Sequence, residues 1–161
     1  MAPIIRDFQA GDYEAVARLW EASDIRVDSR EDVLFKLRRD ADLFLVAEDR
    51  GRIVGAVLGA FDGRMGSINR LAVADSWRRS GLASRLIREV EDRLRARGAR
   101  RVWAWIHDHN HASRTLFARR GYEEWPSVVT ASKSLTEQPL AEAPEVSGGD
   151  LTAEAREEPS A

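Results

Sequence analysis

Residues 71–87 read L-A-V-A-D-S-W-R-R-S-G-L-A-S-R-L-I: a strand end, a short loop rich in Arg and Ser, and a glycine that opens a long helix. Such a junction suits an anion. A helix N-terminus presents amides without intrahelical partners and a partial positive charge. Gly81 has no Cβ to obstruct a close backbone approach. The same pattern also describes a plain loop before a helix, and it has neither the G-K-S/T of a Walker loop nor the three glycines of a dinucleotide fingerprint. A second cluster, His107-Asp108-His109-Asn110-His111, holds all three histidines. His107 or Asp108 could take a proton there as general base; the ordinary alternative is a polar strand end. No metal is expected, because the third histidine starts a helix and breaks the extended geometry a three-histidine site needs. Glu48, at another strand end, is either a further candidate base or a solvated charge.

Periodicity supplies the elements that must hold these residues. Pro3 to Phe8 reads as a short strand. Asp12 can cap a helix with Tyr13, Val16, Ala17 and Trp20 on one face. Ser29 and Asp32 resemble a capping box opening a second helix, with Val33, Leu34 and Leu37 inward. Leu43–Glu48, Ile53–Phe61 and Ser67–Val73 form an antiparallel meander with turns at Gly51 and at Asp62-Gly63. The longest helix runs from Gly81 to Arg97 on a stripe of Leu82, Ala83, Leu86, Ile87, Val90 and Leu94, and Gly98 closes it. Arg101–Ile106 is a fifth strand, parallel to its predecessor across that helix. A helix from about His111 to Arg120 follows, closed by Gly121, then last-strand material at Tyr122 and from Ser127 to Leu135.

The 161 residues, 43 % hydrophobic and 32 % charged, fit one domain. The absence of cysteine excludes disulfides, a thiol nucleophile and a cysteine metal site. No apolar run reaches the roughly 18 residues of a membrane span, and M-A-P-I-I-R-D-F is no signal peptide. A cytoplasmic address is therefore expected. The net charge of −2 hides an asymmetry: residues 1–135 hold 24 basic and 20 acidic groups, the rest one basic and seven acidic. Residues 136–161 also hold three of the five prolines and no aromatic residue, and read as a disordered acidic tail to a domain of residues 1–135. Arginine outnumbers lysine 23 to 2. The arginines are scattered among carboxylates rather than gathered with aromatic residues, so no nucleic-acid partner is expected.

Arg78-x-x-Gly81-x-Ala83 resembles the R/Q-x-x-G-x-G/A signature of the GCN5-related N-acetyltransferases. The run N-H-A-S-R-T-L-F-A-R-R-G-Y from Asn110 resembles that family's N-x-x-A-x-x-L-Y-x-x-x-G-F ending. The element order agrees as well, and the resemblance spans residues 4–135. L-F-L-V-A-E, the F-D-G turn and W-R-R-S-G-L-A look closest to the small bacterial YpeA-like branch. The implied architecture is an α/β, single-domain acyl-CoA N-acyltransferase fold, with a mixed, mostly antiparallel sheet of about six to seven strands and four helices. The implied co-substrate is acetyl-CoA, without a metal. Its pantetheine arm would pair with Leu71, Ala72 and Val73, and its pyrophosphate would rest on Arg78, Arg79, Ser80, Gly81, Leu82 and Ala83. Asn110 would contact the pantetheine from the second strand of the splay, with Phe117 beside the thioester.

The resemblance fails where the chemistry is done. Phe117 stands where many members have a tyrosine that protonates the departing thiolate. Ser67 and Trp105 stand where two branches carry a glutamate base. The reading is an N-acetyltransferase in which a neutral amine attacks the thioester directly, without a covalent enzyme intermediate. Its acceptor is an amine on a small molecule, peptide or protein, and the enzyme is a monomer or homodimer away from any membrane. The alternative is a non-catalytic acetyl-CoA-binding module of the same fold. A third option is an interaction protein whose acidic tail binds a basic partner. Trp103 and Trp105 are read as one packing residue and one wall of an acceptor pocket.

Overall fold

Five runs dominated by Val, Ile, Leu, Ala and Phe form strands in the computed structural model of the chain, which describes residues 1–136. They are β1 (Ile4–Asp7), β2 (Phe44–Asp49), β3 (Arg52–Phe61), β4 (Gly66–Val73) and β5 (Val102–Ala104). The helices are α1 (Tyr13–Ala22), α2 (Arg30–Asp40), α3 (Leu82–Ala96) and α4 (His111–Arg119). The strands lie in the order β1-β2-β3-β4-β5. The first four are mutually antiparallel, and β5 is parallel to β4. This matches the α/β acyltransferase expectation, with one sheet of five strands instead of six or seven.

The missing strand is the expected one at 127–135. Only Val128, Val129 and Thr130 in that stretch carry strand propensity, a run shorter than the usual five or six residues. The chain there makes a turn, in which Val128 N–H donates to the Trp125 carbonyl at 3.1 Å. Residues Met1–Glu123 form one compact unit and the stretch from Glu124 is grouped apart from it. The acidic tail lies, past Thr136, outside the described residues.

Both faces of the sheet are covered, so β2 is buried on both. Leu43, Leu45 and Ala47 face one core with Leu82, Leu86, Ile87, Val90 and Leu94 of α3. Phe44 and Val46 face a second core with Val16, Leu19 and Trp20 of α1 and Val33 of α2. α3 reaches the sheet through three glycines. A Cβ on Gly55 would stand 2.9 Å from Leu86, one on Gly59 2.7 Å from Val90, and one on Gly66 2.6 Å from Leu94. Leu86, Val90 and Leu94 follow one another at four-residue steps, so one ridge of α3 sits in these notches.

α2 departs from expectation at Leu34, which is 48 % exposed. Its inward line runs through Val33, Leu37 and Asp40, and Leu34 lies about 100° away from it. The inward Asp40 is 3 % exposed. It accepts hydrogen bonds from Lys36 Nζ (3.0 Å) and Arg97 Nη1 (2.7 Å). Ser29 caps the same helix as expected, its Oγ accepting from Asp32 N–H at 3.1 Å.

Candidate active site

β4 and β5 separate early. Pairing covers only Gly66–Ile68 against Val102–Ala104, short of the Ile106 expected from propensity. Beyond Ile68, β4 stays bonded to β3 as far as Val73, and among the described residues no strand takes its other edge. The amides and carbonyls of that edge can therefore pair with an extended, amide-bearing ligand.

At the end of this edge stands the loop. After a short turn over Asp75–Trp77, Arg79 (φ +58) and Gly81 (φ +83) both take left-handed backbone conformations and bring the chain round onto the α3 axis. Ser80 Oγ braces the bend, donating to the Trp77 carbonyl (2.5 Å) and accepting from Leu82 N–H (3.3 Å). The Ala83 and Ser84 amides, in the first turn of α3, have no carbonyl four residues earlier within the helix. No acidic residue stands in that turn to compete for the helix dipole. A Cβ built on Gly81 would meet no atom within 4 Å, so space is open on that side of the glycine. Arg78 pairs with Asp75 at 2.9 Å on the exposed surface. These features fit a diphosphate.

On the other side of the splay, Asn110 caps α4. Its side chain accepts from Ser113 N–H at 3.1 Å, and its own N–H closes a turn on the His107 carbonyl at 2.9 Å. The cap leaves the Asn110 amide donors for a ligand. Phe117 is 5 % exposed, and the Tyr122 ring meets it edge-on with centroids 4.9 Å apart. The Tyr122 hydroxyl donates to Glu91 (2.9 Å). Burial, then the Glu91 carboxylate, holds its pKa above the usual tyrosine value, which makes it a poor acid.

The candidate bases are differently placed. His107 and His109 stack with ring centroids 5.4 Å apart. The exposed Asp108 pairs with His109 at 3.3 Å, which keeps its carboxyl below the usual aspartate value and makes it a weak proton acceptor. Among the described residues no three His, Asp or Glu side chains gather in the manner of metal ligands. Glu48 is held by Arg6 Nε at 2.8 Å, so it is neither a free base nor a simply solvated charge.

The two tryptophans of β5 and its extension face the α2 side. Trp103 is half-buried and directs Nε1 at Met65 Sδ (3.3 Å). Trp105 is 62 % exposed. Together with Phe61, Met65 and Ser67 they line a cleft of about 380 Å³ under the end of α2. Residue spacing did not reveal Arg70, which adopts φ +55 in the middle of β4.

The sequence profile described as the acetyltransferase (GNAT) family matches residues 5–122. An acetyltransferase of Pectobacterium atrosepticum is 39 % identical over 136 residues, covering 83 % of this chain and 96 % of its own. One from Sodalis glossinidius is 37 % identical with the same coverage. Among solved structures, Ard1 from Thermoplasma volcanium superimposes with a TM-score of 0.71 at 24 % identity, covering 81 % of this chain and 86 % of that one. The NatB acetyltransferase complex bound to CoA and MES gives 0.70 at 21 % identity, covering 76 % and 84 %.

Proposed function

Because the chain belongs to the GNAT family of acetyltransferases, we propose that it moves acetyl from acetyl-CoA to an amine by direct attack. The reading rests on the splay of β4 from β5. Past Ile68 the β4 edge is taken by no other strand among the described residues, and the chain leaves its end through the left-handed turns at Arg79 and Gly81 onto the first amides of α3, while the tryptophan-lined cleft meets β4 at Gly66 and Ser67. The first-turn amides of α3 and Arg79 would hold the pyrophosphate, and Leu71, Ala72 and Val73 would pair with the pantetheine amides. The acceptor enters from the cleft. Its uncharged nitrogen bonds to the thioester carbonyl carbon and gives up a proton, the C–S bond breaks, and the CoA thiolate leaves and takes up a proton, so that amide and free thiol form with no net change in protons.

Acetyl-CoA at 100 times its Kd should stabilise the protein by about 2.7 kcal/mol, a rise in Tm of several degrees. An unchanged Tm at saturating ligand would refute the reading. The non-catalytic alternative draws on Phe117, which carries no acidic proton, and on Glu48 and Asp108, both engaged by neighbours. Thiol release across an amine panel separates the two. In an active enzyme limited by thiolate departure, Phe117→Tyr should raise turnover, up to ~10²-fold. No release by either protein across the panel would favour the binding module.

A further inference from the structure

The linker between α1 and α2, residues 23–29, is hydrogen-bonded to β4 through Arg70. Ala56 faces Ala72 and Leu58 faces Asn69, so β4 holds one residue more than β3 between those pairs. The extra residue makes a bulge, and Arg70 within it has φ +55. L side chains take that conformation inside a strand only when their surroundings impose it. Here the surroundings come from two other elements. The Arg70 guanidinium forks onto Asp28, Nε to Oδ2 at 3.1 Å and Nη2 to Oδ1 at 2.6 Å, and Nη1 donates to the Arg26 carbonyl at 2.8 Å. The indole of Trp20, on α1, donates to the Arg70 carbonyl at 3.2 Å. The Tyr13 hydroxyl holds the linker from α1 by donating to the Asp28 carbonyl at 2.9 Å.

We propose that Arg70 is a positioning residue that couples this linker to the ligand-facing edge of β4, so that order in one favours a ligand on the other. The inference rests on the reading of Leu71–Val73 as the pantetheine edge. A bulge decides which backbone groups of the following residues point to which side, and a shift of one residue inverts the alternation. Releasing the Asp28 fork lets Arg70 return to ordinary strand backbone and moves the amides of Leu71–Val73 out of phase. Reciprocity follows: a ligand that selects the bulged form also selects the fastened linker.

The test is calorimetry with acetyl-CoA on wild type, Asp28→Ala, Arg70→Met and the double variant, with hydrogen exchange of the linker amides alongside. Asp28→Ala, remote in sequence from every ligand-contacting residue, should weaken acetyl-CoA by about 5-fold or more. The double variant should bind no worse than Arg70→Met. Acetyl-CoA should slow linker exchange in wild type and not in Asp28→Ala. A lower Tm with unchanged affinity and unchanged exchange protection would mean a purely structural fork and overturn the proposal. If Arg70→Met does not fold, Arg70→Lys keeps the charge without the fork and takes its place. Wild type that binds no acetyl-CoA removes the functional reading along with the coupling; variants that bind as wild type does remove the coupling alone.

Discussion

The loop proposed for the cofactor and the cleft proposed for the acceptor are assembled in opposite ways. A strand end, a bent loop and a helix start within residues 71–87 supply the whole of the first. The cleft takes Lys36 and Arg39 from α2, Phe61 from β3, Ser67 from β4 and Trp103 from β5. A site built from consecutive residues is set by local backbone preference. One built from four elements depends on how those elements pack. The first kind changes abruptly with one residue, and the second should yield gradually.

Gly81→Asp attacks the contiguous side and carries the largest expected effect. It imposes a side chain on a left-handed backbone and a negative charge where the phosphates would sit. Acetyl-CoA affinity should fall at least about 100-fold by calorimetry, and wild-type affinity would refute the placement of the loop.

Asp40→Asn probes the packing on which the assembled side depends. It leaves Lys36 and Arg97 facing a neutral group in a buried setting, at a cost of about 3 kcal/mol in urea denaturation. Burial opposes ionisation of Asp40, but hydrogen bonds from Lys36 and Arg97 outweigh it and hold the folded pKa below 3.8. Its contribution is therefore complete above the unfolded pKa near 3.9 and is lost as pH falls below that. The variant should show a flatter loss of stability between pH 5 and 3 than wild type; an identical slope would remove Asp40 from the acid response.

Trp105→Ala should have the smallest effect and separates the two sides directly. Stability should move by no more than about 0.5 kcal/mol, as for an exposed site. Acetyl-CoA affinity should stay unchanged while KM for the amine rises. Weaker acetyl-CoA binding instead would show that the cleft and the cradle are one site.

The same division explains what could be read before folding. The α3 stripe, the Ser29 cap and the glycine loop depend on residues within a few positions of one another, and each is found where its spacing puts it. Arg70 and Asp28 are 42 positions apart, and Arg97 and Asp40 are 57 apart. An arginine inside the strand run S-I-N-R-L-A-V, or an aspartate in a linker or at a helix end, carries no local sign of a partner so distant. The short β5 has a similar origin. V-W-A-W-I has strand propensity throughout, but β4 offers it a partner only as far as Ile68. Trp103 and Trp105 both line the cleft, so their expected division of labour shows only as a difference in exposure.

The notches at Gly55, Gly59 and Gly66 give α3 a fixed index against the sheet. Like teeth in a rack, Leu86, Val90 and Leu94 permit steps of a whole turn and resist anything smaller. A full turn is about 5.4 Å, far more than a hydrogen-bonding cradle can absorb. The first-turn amides are therefore held in one direction by the core, and the affinity of an anion proposed to bind there would be tuned through the loop residues, since the helix has no intermediate stop.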